Sequence, residues 1–234
     1  MRTKVNQFFI GSKINMAKNN EDIYLAYKKK NVINIVNRFK ERFGDRVPPF
    51  PVDESTLDLE KTFCTPEVCS KCENSCCSIA PCIFSPSDFL DLYDLDYMKG
   101  ILDTGLLCIS HSPSPGHYEN LVLRPRGLAD ENKIISTVYD ANPCVLEGEE
   151  GCMLPALYRP CQGLLYYAYE EDEQTCHTTL YSERECGHDY DSFQKVLRVL
   201  VNEYYNVSIP YYENGMEEQV NRLVKSLANK SEKP

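Results

Sequence analysis

The chain lacks an excess of positive charge. Its 234 residues include 25 lysines and arginines against 35 aspartates and glutamates, which gives a formal net charge of −10 at pH 7. A general binder of nucleic acids or of anionic membranes needs a basic face. The composition therefore argues against both kinds of partner, and we expect no nucleic acid and no membrane among the ligands.

Long hydrophobic runs are also missing. The first ten residues contain basic side chains but only a three-residue apolar run, Phe8 to Ile10. A secretory signal needs roughly 7–15 apolar residues and a membrane helix about 20. We therefore predict a cytoplasmic protein. Because cytosolic thiols stay reduced, we do not expect a disulfide framework.

The common catalytic motifs are absent as well. The sequence contains no glycine-rich phosphate loop, no nucleophile elbow and no His-Glu-x-x-His motif. The common hydrolase and nucleotide-binding functions therefore lack support, and the sequence leaves open whether the chain is an enzyme.

Cysteine, in contrast, is abundant. Six of the twelve cysteines lie between residues 64 and 82, and the centre of that run is Cys69-Ser-Lys-Cys72. A Cys-x2-Cys step lets one tight turn direct two thiolates at one ion, as in zinc fingers. The adjacent Cys76 and Cys77 follow, and their side chains diverge. We therefore expect them to serve different partners, either two metals or one metal and one packing role.

A second group of cysteines lies downstream, at Cys144, Cys152 and Cys161, with Cys176 further along. These thiols are spaced too widely for one turn, so they can converge only through tertiary folding. A metal held between the two groups would pin the loops that carry them, as structural zinc does.

Several other residues have both a chemical and a structural interpretation. His177 and His188 could complete a mixed cysteine and histidine site, or lie at the surface. Cysteine also behaves as a small buried hydrophobe, so Cys64, Cys82 and Cys108 are expected to pack in the core, and Cys186 either ligates or is buried. Arg124, Arg126 and Arg159 could bind an anionic substrate, steady thiolates or form ordinary salt bridges.

The hydrophobic pattern predicts an α+β, loop-rich domain with amphipathic helices at both ends and a small antiparallel sheet. Long helices are expected over 20–43, 193–205 and 215–228, and a short one from Ser85 to about Leu92. Two strands, 121–123 and 134–139, are expected to pair across a polar turn, while 103–119 reads as a loop. The corresponding division is an N-terminal helical extension (1–60), a cysteine-rich metal- or cluster-binding domain (61–190) and C-terminal helices packed on it (191–234).

The order of the motifs resembles the zinc- or iron-chelating cysteine-cluster family, which is named for its Cys-x2-Cys-x2-Cys-Cys motif. The resemblance covers about residues 64–190 and joins the first array to a later Cys-x-Leu, Gly-Cys and Arg-Pro pattern. Relatives often place two residues between the Arg-Pro pair and the next cysteine, whereas here Cys161 follows Pro160 directly. By position, the resemblance implies ligand roles for Cys69, Cys72, Cys76, Cys77, Cys144, Cys152, Cys161 and, more loosely, Cys176.

The residues and the resemblance together predict a metal-binding cysteine-cluster protein with a structural or accessory role and with zinc or iron as its cofactor. The alternative is an enzyme with a [4Fe-4S] cluster. A distant likeness of the family to flagellin lysine-N-methylases implies a protein-lysine methyltransferase-like activity for that alternative. Thiolate ligands suit both zinc and iron–sulfur clusters, so the sequence does not choose between them. The predicted partner is a metal ion, and the sequence leaves a protein partner open without identifying one.

Overall fold

The computed structural model describes residues 18–44, 50–51, 53–61, 77, 82–111, 121–130, 134–136, 142–148, 151–167, 178–179 and 190–205. The helices in these ranges are α1 (Lys18–Phe43), α2 (Leu95–Asp103), α3 (Cys161–Leu164) and α4 (Tyr190–Tyr205). The predictions of helices over 20–43 and 193–205 are confirmed, while the helix predicted over 215–228 lies outside the described residues. None of the described helices combines the length and apolar character that a transmembrane segment requires.

Helix α1 ends where a glycine follows it. Gly44 has a φ of 58°, a left-handed conformation that residues with a β-carbon rarely adopt. A glycine in this conformation is a common way to terminate an α-helix. The left-handed conformation of Gly44 therefore accounts for the end of α1.

The main sheet has three strands in the order β2-β1-β3, and it is mixed. Strand β1 (Leu107–His111) pairs antiparallel with β2 (Leu121–Pro125) and parallel with β3 (Ile135–Ser136). Helices with a small sheet confirm the α+β class. The predicted pairing of the two strands across a turn is wrong, because β1 lies between them. The prediction of a loop over 103–119 is wrong where β1 forms.

Two smaller antiparallel pairs complete the described strands. Strands β4 (Glu147–Gly148) and β5 (Gly151–Cys152) form one pair, and β6 (Tyr166–Tyr167) and β7 (Thr178–Thr179) form the other. The first pair brings Cys152 back alongside Glu147 in a short hairpin.

The helix predicted from Ser85 to about Leu92 is shorter than expected. Pro86–Asp88 forms one 3-10 turn, and Phe89 is already extended, with φ −122° and ψ 131°. The capping box is present, since the backbone N–H of Ser85 donates to the Asp88 carboxylate at 2.8 Å. The same carboxylate also binds groups from two distant segments, and the chain leaves the helical conformation directly after it.

The core consists of two clusters of buried apolar side chains. One contains Tyr24 with residues from the sheet, α2 and α4, and the other contains the second half of α1 with Phe50, Leu164 and Leu165. Helix α1 contributes to both clusters, so it spans the junction between them. Apolar burial of this kind is the main stabilising contribution in a domain of this size.

A buried arginine–aspartate pair fixes the loop beside the sheet. Arg124 donates from both terminal nitrogens to the Asp130 carboxylate, at 2.7 and 3.2 Å, and both side chains are fully buried. Asn142 donates to the same carboxylate at 3.0 Å. This contact anchors the segment that carries Cys144, two residues further along.

Candidate functional site

The structure describes four of the eight predicted metal ligands. It brings three of them near one another, namely Cys77, Cys144 and Cys152, and we refer to these as the three-cysteine group. It places Cys161 elsewhere, against Lys28 and Asp88. The other four, Cys69, Cys72, Cys76 and Cys176, lie outside the described residues, and their roles stay predictions.

Backbone contacts hold the three-cysteine group together. The N–H of Cys144 donates to the carbonyl of Cys77 at 2.9 Å, which joins two segments that are distant in sequence. The carbonyl of Cys144 accepts from the N–H of Glu147 at 3.0 Å, and Glu147 is the strand partner of Cys152. One short hairpin therefore links the backbones of Cys144 and Cys152 through Glu147, and Cys77 joins them through its carbonyl.

Burial decides the state of the central thiol. Cys144 is 7% exposed, whereas Cys77 and Cys152 are half-buried. Burial raises the pKa of Cys144 to about 12, a hydrogen bond from the N–H of Leu146 opposes this rise, and the nearby Cys77 and Cys152 add to it. Cys144 is therefore a protonated thiol at neutral pH.

Arg159 fixes the end of the hairpin. Its Nε donates to the carbonyl of Leu154 at 2.7 Å, and a terminal nitrogen donates to the carbonyl of Cys152 at 3.3 Å. Both bonds go to backbone carbonyls, so Arg159 fixes the conformation of the loop beside the three-cysteine group. Met153 between the two carbonyls is 47% exposed, so this end of the hairpin borders solvent.

The second group of interest is the buried lysine site, which consists of Lys28, Asp88 and Cys161. The ammonium group of Lys28 forms a salt bridge with Oδ1 of Asp88, and both side chains are 0% exposed. The backbone N–H of Cys161 donates to the same oxygen at 2.8 Å. The ammonium group of Lys28 and the thiol of Cys161 also interact electrostatically. Three elements, α1, the 86–88 turn and α3, therefore meet at one carboxylate.

Charge interactions keep Lys28 ionised in the core. Burial lowers the pKa of Lys28, but the Asp88 carboxylate and Cys161 outweigh this effect, so the pKa is raised above its ordinary value. For Cys161, burial raises the pKa, Asp88 adds to the rise, and the Lys28 ammonium group opposes it. The site thus contains an ion pair with a protonated thiol beside it.

Polar neighbours complete the surroundings of the buried lysine site. Ser85 donates to the second carboxylate oxygen of Asp88 from its N–H at 2.8 Å and from its hydroxyl at 3.1 Å. The hydroxyl of Tyr24 donates to the Asp88 carbonyl at 2.9 Å, and Asn31 donates to the Ser87 carbonyl at 3.0 Å. A buried charge is tolerated when it is hydrogen-bonded in this way.

Sequence reasoning did not identify the buried lysine site. The available signal was the position of Lys28, four residues after Tyr24 and four before Val32, within the apolar stripe of a helix. A lysine in that stripe either snorkels to solvent or pairs inside, and the sequence alone does not name its partner. For Asp88 the sequence predicted only a place in the short helix that begins at Ser85.

The predicted metal-binding function is wrong for the part of the chain that the structure describes. No group of three or more histidine, cysteine, aspartate or glutamate side chains in those ranges could hold a metal ion. This applies equally to the zinc or iron site and to the alternative of an iron–sulfur enzyme with methyltransferase-like activity. The physical reason is the placement of the side chains: Cys161 lies apart from the other described cysteines, against Lys28 and Asp88. Cys77, Cys144 and Cys152 are joined through their backbones without forming a group that could hold a metal.

Comparison with known proteins adds no family to this picture. No family model matches the chain, and no curated protein or solved structure matches it either. The resemblance to the cysteine-cluster family therefore stays a prediction.

Proposed function

We propose that the chain is a thiol-redox protein that exchanges disulfides at the three-cysteine group. The observation that carries this proposal is the backbone contact between Cys77 and the hairpin region that contains Cys144 and Cys152, with Cys144 buried and the other two cysteines half-buried. No disulfide joins any two of the six cysteines in the described ranges. The predicted cytoplasmic location suits such a protein, since a reducing compartment returns it to the thiol state.

The proposed exchange has two steps. The thiolate of Cys152 attacks a small disulfide, forming a mixed disulfide and releasing one small thiolate. Cys144 then loses its proton to solvent and attacks the Cys152 sulfur, which forms the Cys144–Cys152 disulfide and releases the second small thiolate. In sum, two protein thiols and one small disulfide give one protein disulfide and two small thiols.

The order of the two steps follows from burial. Cys152 is adjacent to the exposed Met153, so a small disulfide can reach it, whereas Cys144 is shielded. The raised pKa of Cys144 keeps its thiolate scarce at neutral pH, so the second step is the slower one. Cys77 acts as a positioning residue, because its carbonyl holds the backbone of Cys144.

Peptide mapping tests the proposal. Reduced protein is incubated with oxidised glutathione, alkylated, and digested without reductant by a protease that cleaves after glutamate, which separates Cys144 from Cys152 at Glu147. We expect a disulfide between these two peptides. In the Cys144→Ser variant the second step is blocked, so glutathione should remain on Cys152.

Cys108→Ser is the matched control for this experiment. Cys108 is also buried, with its pKa raised to about 12 mainly by burial, but it hydrogen-bonds Asp130 and lies outside the three-cysteine group. This variant should exchange like the wild-type protein. If Cys144 and Cys152 both remain fully alkylated in the wild-type protein, the proposed function is wrong.

A further inference from the structure

The buried lysine site holds an amine and a thiol that the proposed exchange does not use. Lys28 and Asp88 have fully buried side chains, and Cys161 is 0% exposed. The ammonium nitrogen of Lys28 and the backbone nitrogen of Cys161 bind the same oxygen, Oδ1 of Asp88. This shared acceptor brings the nitrogen of Lys28 close to the backbone of Cys161, whose thiol interacts electrostatically with the ammonium group.

We propose that Lys28 and Cys161 are a modification site, at which dissolved dioxygen joins them through a covalent nitrogen–oxygen–sulfur bridge. Dioxygen is small and apolar, so it can enter a core that excludes charged reagents and bulky thiols. The two reacting groups come from α1 and α3, so the bridge would fasten the N-terminal helix to the segment that begins at Cys161.

The atoms and electrons of this step balance within the site. The thiol of Cys161, the ammonium group of Lys28, the carboxylate of Asp88 and one dioxygen give the bridge, a protonated Asp88 and one water. One S–O bond and one O–N bond form, and the O–O bond breaks. Sulfur and nitrogen each lose two electrons, and dioxygen gains the four.

The surrounding protein favours the products of this reaction. Lys28 loses its positive charge and Asp88 takes up the released proton, so a buried ion pair becomes two neutral groups. Keeping ions away from water is costly, and the reaction removes that cost without leaving an unpaired charge. The four donors that Asp88 accepts from before the reaction also keep the carboxyl group fixed against the reacting nitrogen.

The bridge is reversible in a defined way. Four thiols of a reductant supply four electrons and four hydrogens, leave as two disulfides, and return Cys161 to a thiol and Lys28 to an amine, with the oxygen leaving as water. Sulfinic and sulfonic acids of cysteine do not respond to thiol reductants in this way. Reductant sensitivity therefore distinguishes the bridge from ordinary overoxidation.

Mass spectrometry of the full chain provides the test, and its main comparison requires no variant. Protein kept under argon and protein held in air are denatured, alkylated and digested without reductant. In air we expect a cross-linked peptide pair that contains Lys28 and Cys161, heavier than the sum of the two peptides by one oxygen less two hydrogens. Treatment with dithiothreitol should abolish it.

Cys144 is the control within the same digest, because it is a buried thiol whose described neighbours include no lysine amine. It should form no such bridge to a lysine. An Asp88→Asn variant, which lacks the proton acceptor, should lose most of the cross-link if it folds. If Cys161 remains an alkylatable thiol in air, or becomes a sulfinic acid without Lys28 attached, the inference is wrong. Neither result affects the proposed exchange at Cys144 and Cys152.

Discussion

Two ion pairs in the described part of the chain are buried away from water. Lys28 pairs with Asp88, and Arg124 pairs with Asp130, with all four side chains fully buried. A buried pair is weak evidence for stability, because desolvation offsets most of the attraction. Removing one partner is different, since it leaves an unpaired charge in the core and costs about 3–5 kcal/mol. These pairs therefore specify which segments meet.

The free energy of unfolding should depend on alkaline pH through Lys28. Its pKa is raised in the folded state, so its contribution is complete below the unfolded value of about 10.4 and is lost as the pH rises through the higher folded value. We expect the difference in unfolding free energy between the wild-type protein and Lys28→Met to be constant from about pH 7 to 10 and to shrink above it. Denaturant titrations at several pH values measure this difference.

Comparing the wild-type protein with Lys28→Met cancels the contributions that other groups make to the unfolding free energy at alkaline pH. Tyr24, for example, has a strongly raised pKa, mainly from burial, and its ionisation on unfolding contributes in both. A difference that already shrinks between pH 7 and 9 would show that burial, rather than Asp88, controls the pKa of Lys28.

A glycine beside Asp130 permits a close contact. A β-carbon placed on Gly127 would lie 2.1 Å from the side chain of Asn142, which is fully buried and bound to Asp130. Gly127→Ala should therefore displace Asn142 and lower the free energy of unfolding by about 1–3 kcal/mol. Gly100→Ala is the matched control, because a β-carbon placed on this exposed residue of α2 would have no neighbour within 4 Å. It should be neutral or stabilising by up to about 1 kcal/mol, and an equal loss in both variants would contradict the packing explanation.

At the scale of elements, the side chain of Gln194 makes the backbone hydrogen bonds that a further strand would make at the edge of β2. Gln194 on α4 accepts from the N–H of Leu121 at 2.8 Å and donates to its carbonyl at 2.7 Å. Further along the same strand, the N–H of Phe84 donates to the carbonyl of Leu123 at 2.8 Å. The edge of β2 is thus hydrogen-bonded by the side-chain amide of Gln194 and by the backbone of Phe84. An unpaired strand edge can form hydrogen bonds with the strand of another chain, and these contacts occupy the groups that would do so.

Gln194→Ala should expose the dependence of this edge on the helix. The variant leaves two buried backbone groups of Leu121 without partners, so we expect a loss of about 2–4 kcal/mol in the free energy of unfolding. Val199→Ala, at a 38% exposed position of the same helix, should cost less than about 1 kcal/mol. Similar losses in the two variants would show that the helix as a whole, rather than the amide, supports the strand.

The elements show where sequence reasoning succeeded and where it failed. Helix periodicity is local, so α1 and α4 were predicted close to their observed bounds. Strand β1 was missed because Gly105 and Pro113 surround a run of only five residues, and its partners are chosen by tertiary packing. The separation of Cys161 from Cys144 and Cys152 was not predicted, because the carboxylate that binds Cys161 lies 73 residues away in sequence.

At the scale of the whole molecule, the buried lysine site lies where the two apolar clusters meet. Tyr24 belongs to the first cluster and Val32 to the second, with Lys28 one helical turn from each. Cys161 belongs to the second cluster, while Tyr158, stacked on Tyr24 with ring centroids 6.0 Å apart, belongs to the first. One helix and one site therefore connect the two halves of the core.

The large sequence separation between helix α1 and its contacts has a consequence for folding during translation. Its partners Asp88 and Tyr158 follow Lys28 and Glu21 by 60 and 137 residues, respectively. At a synthesis rate of about 5–20 residues per second, Tyr158 is translated roughly 10 seconds after the helix. Until Asp88 is translated, Lys28 has no partner carboxylate from that turn, and its charge keeps this part of the nascent helix hydrated.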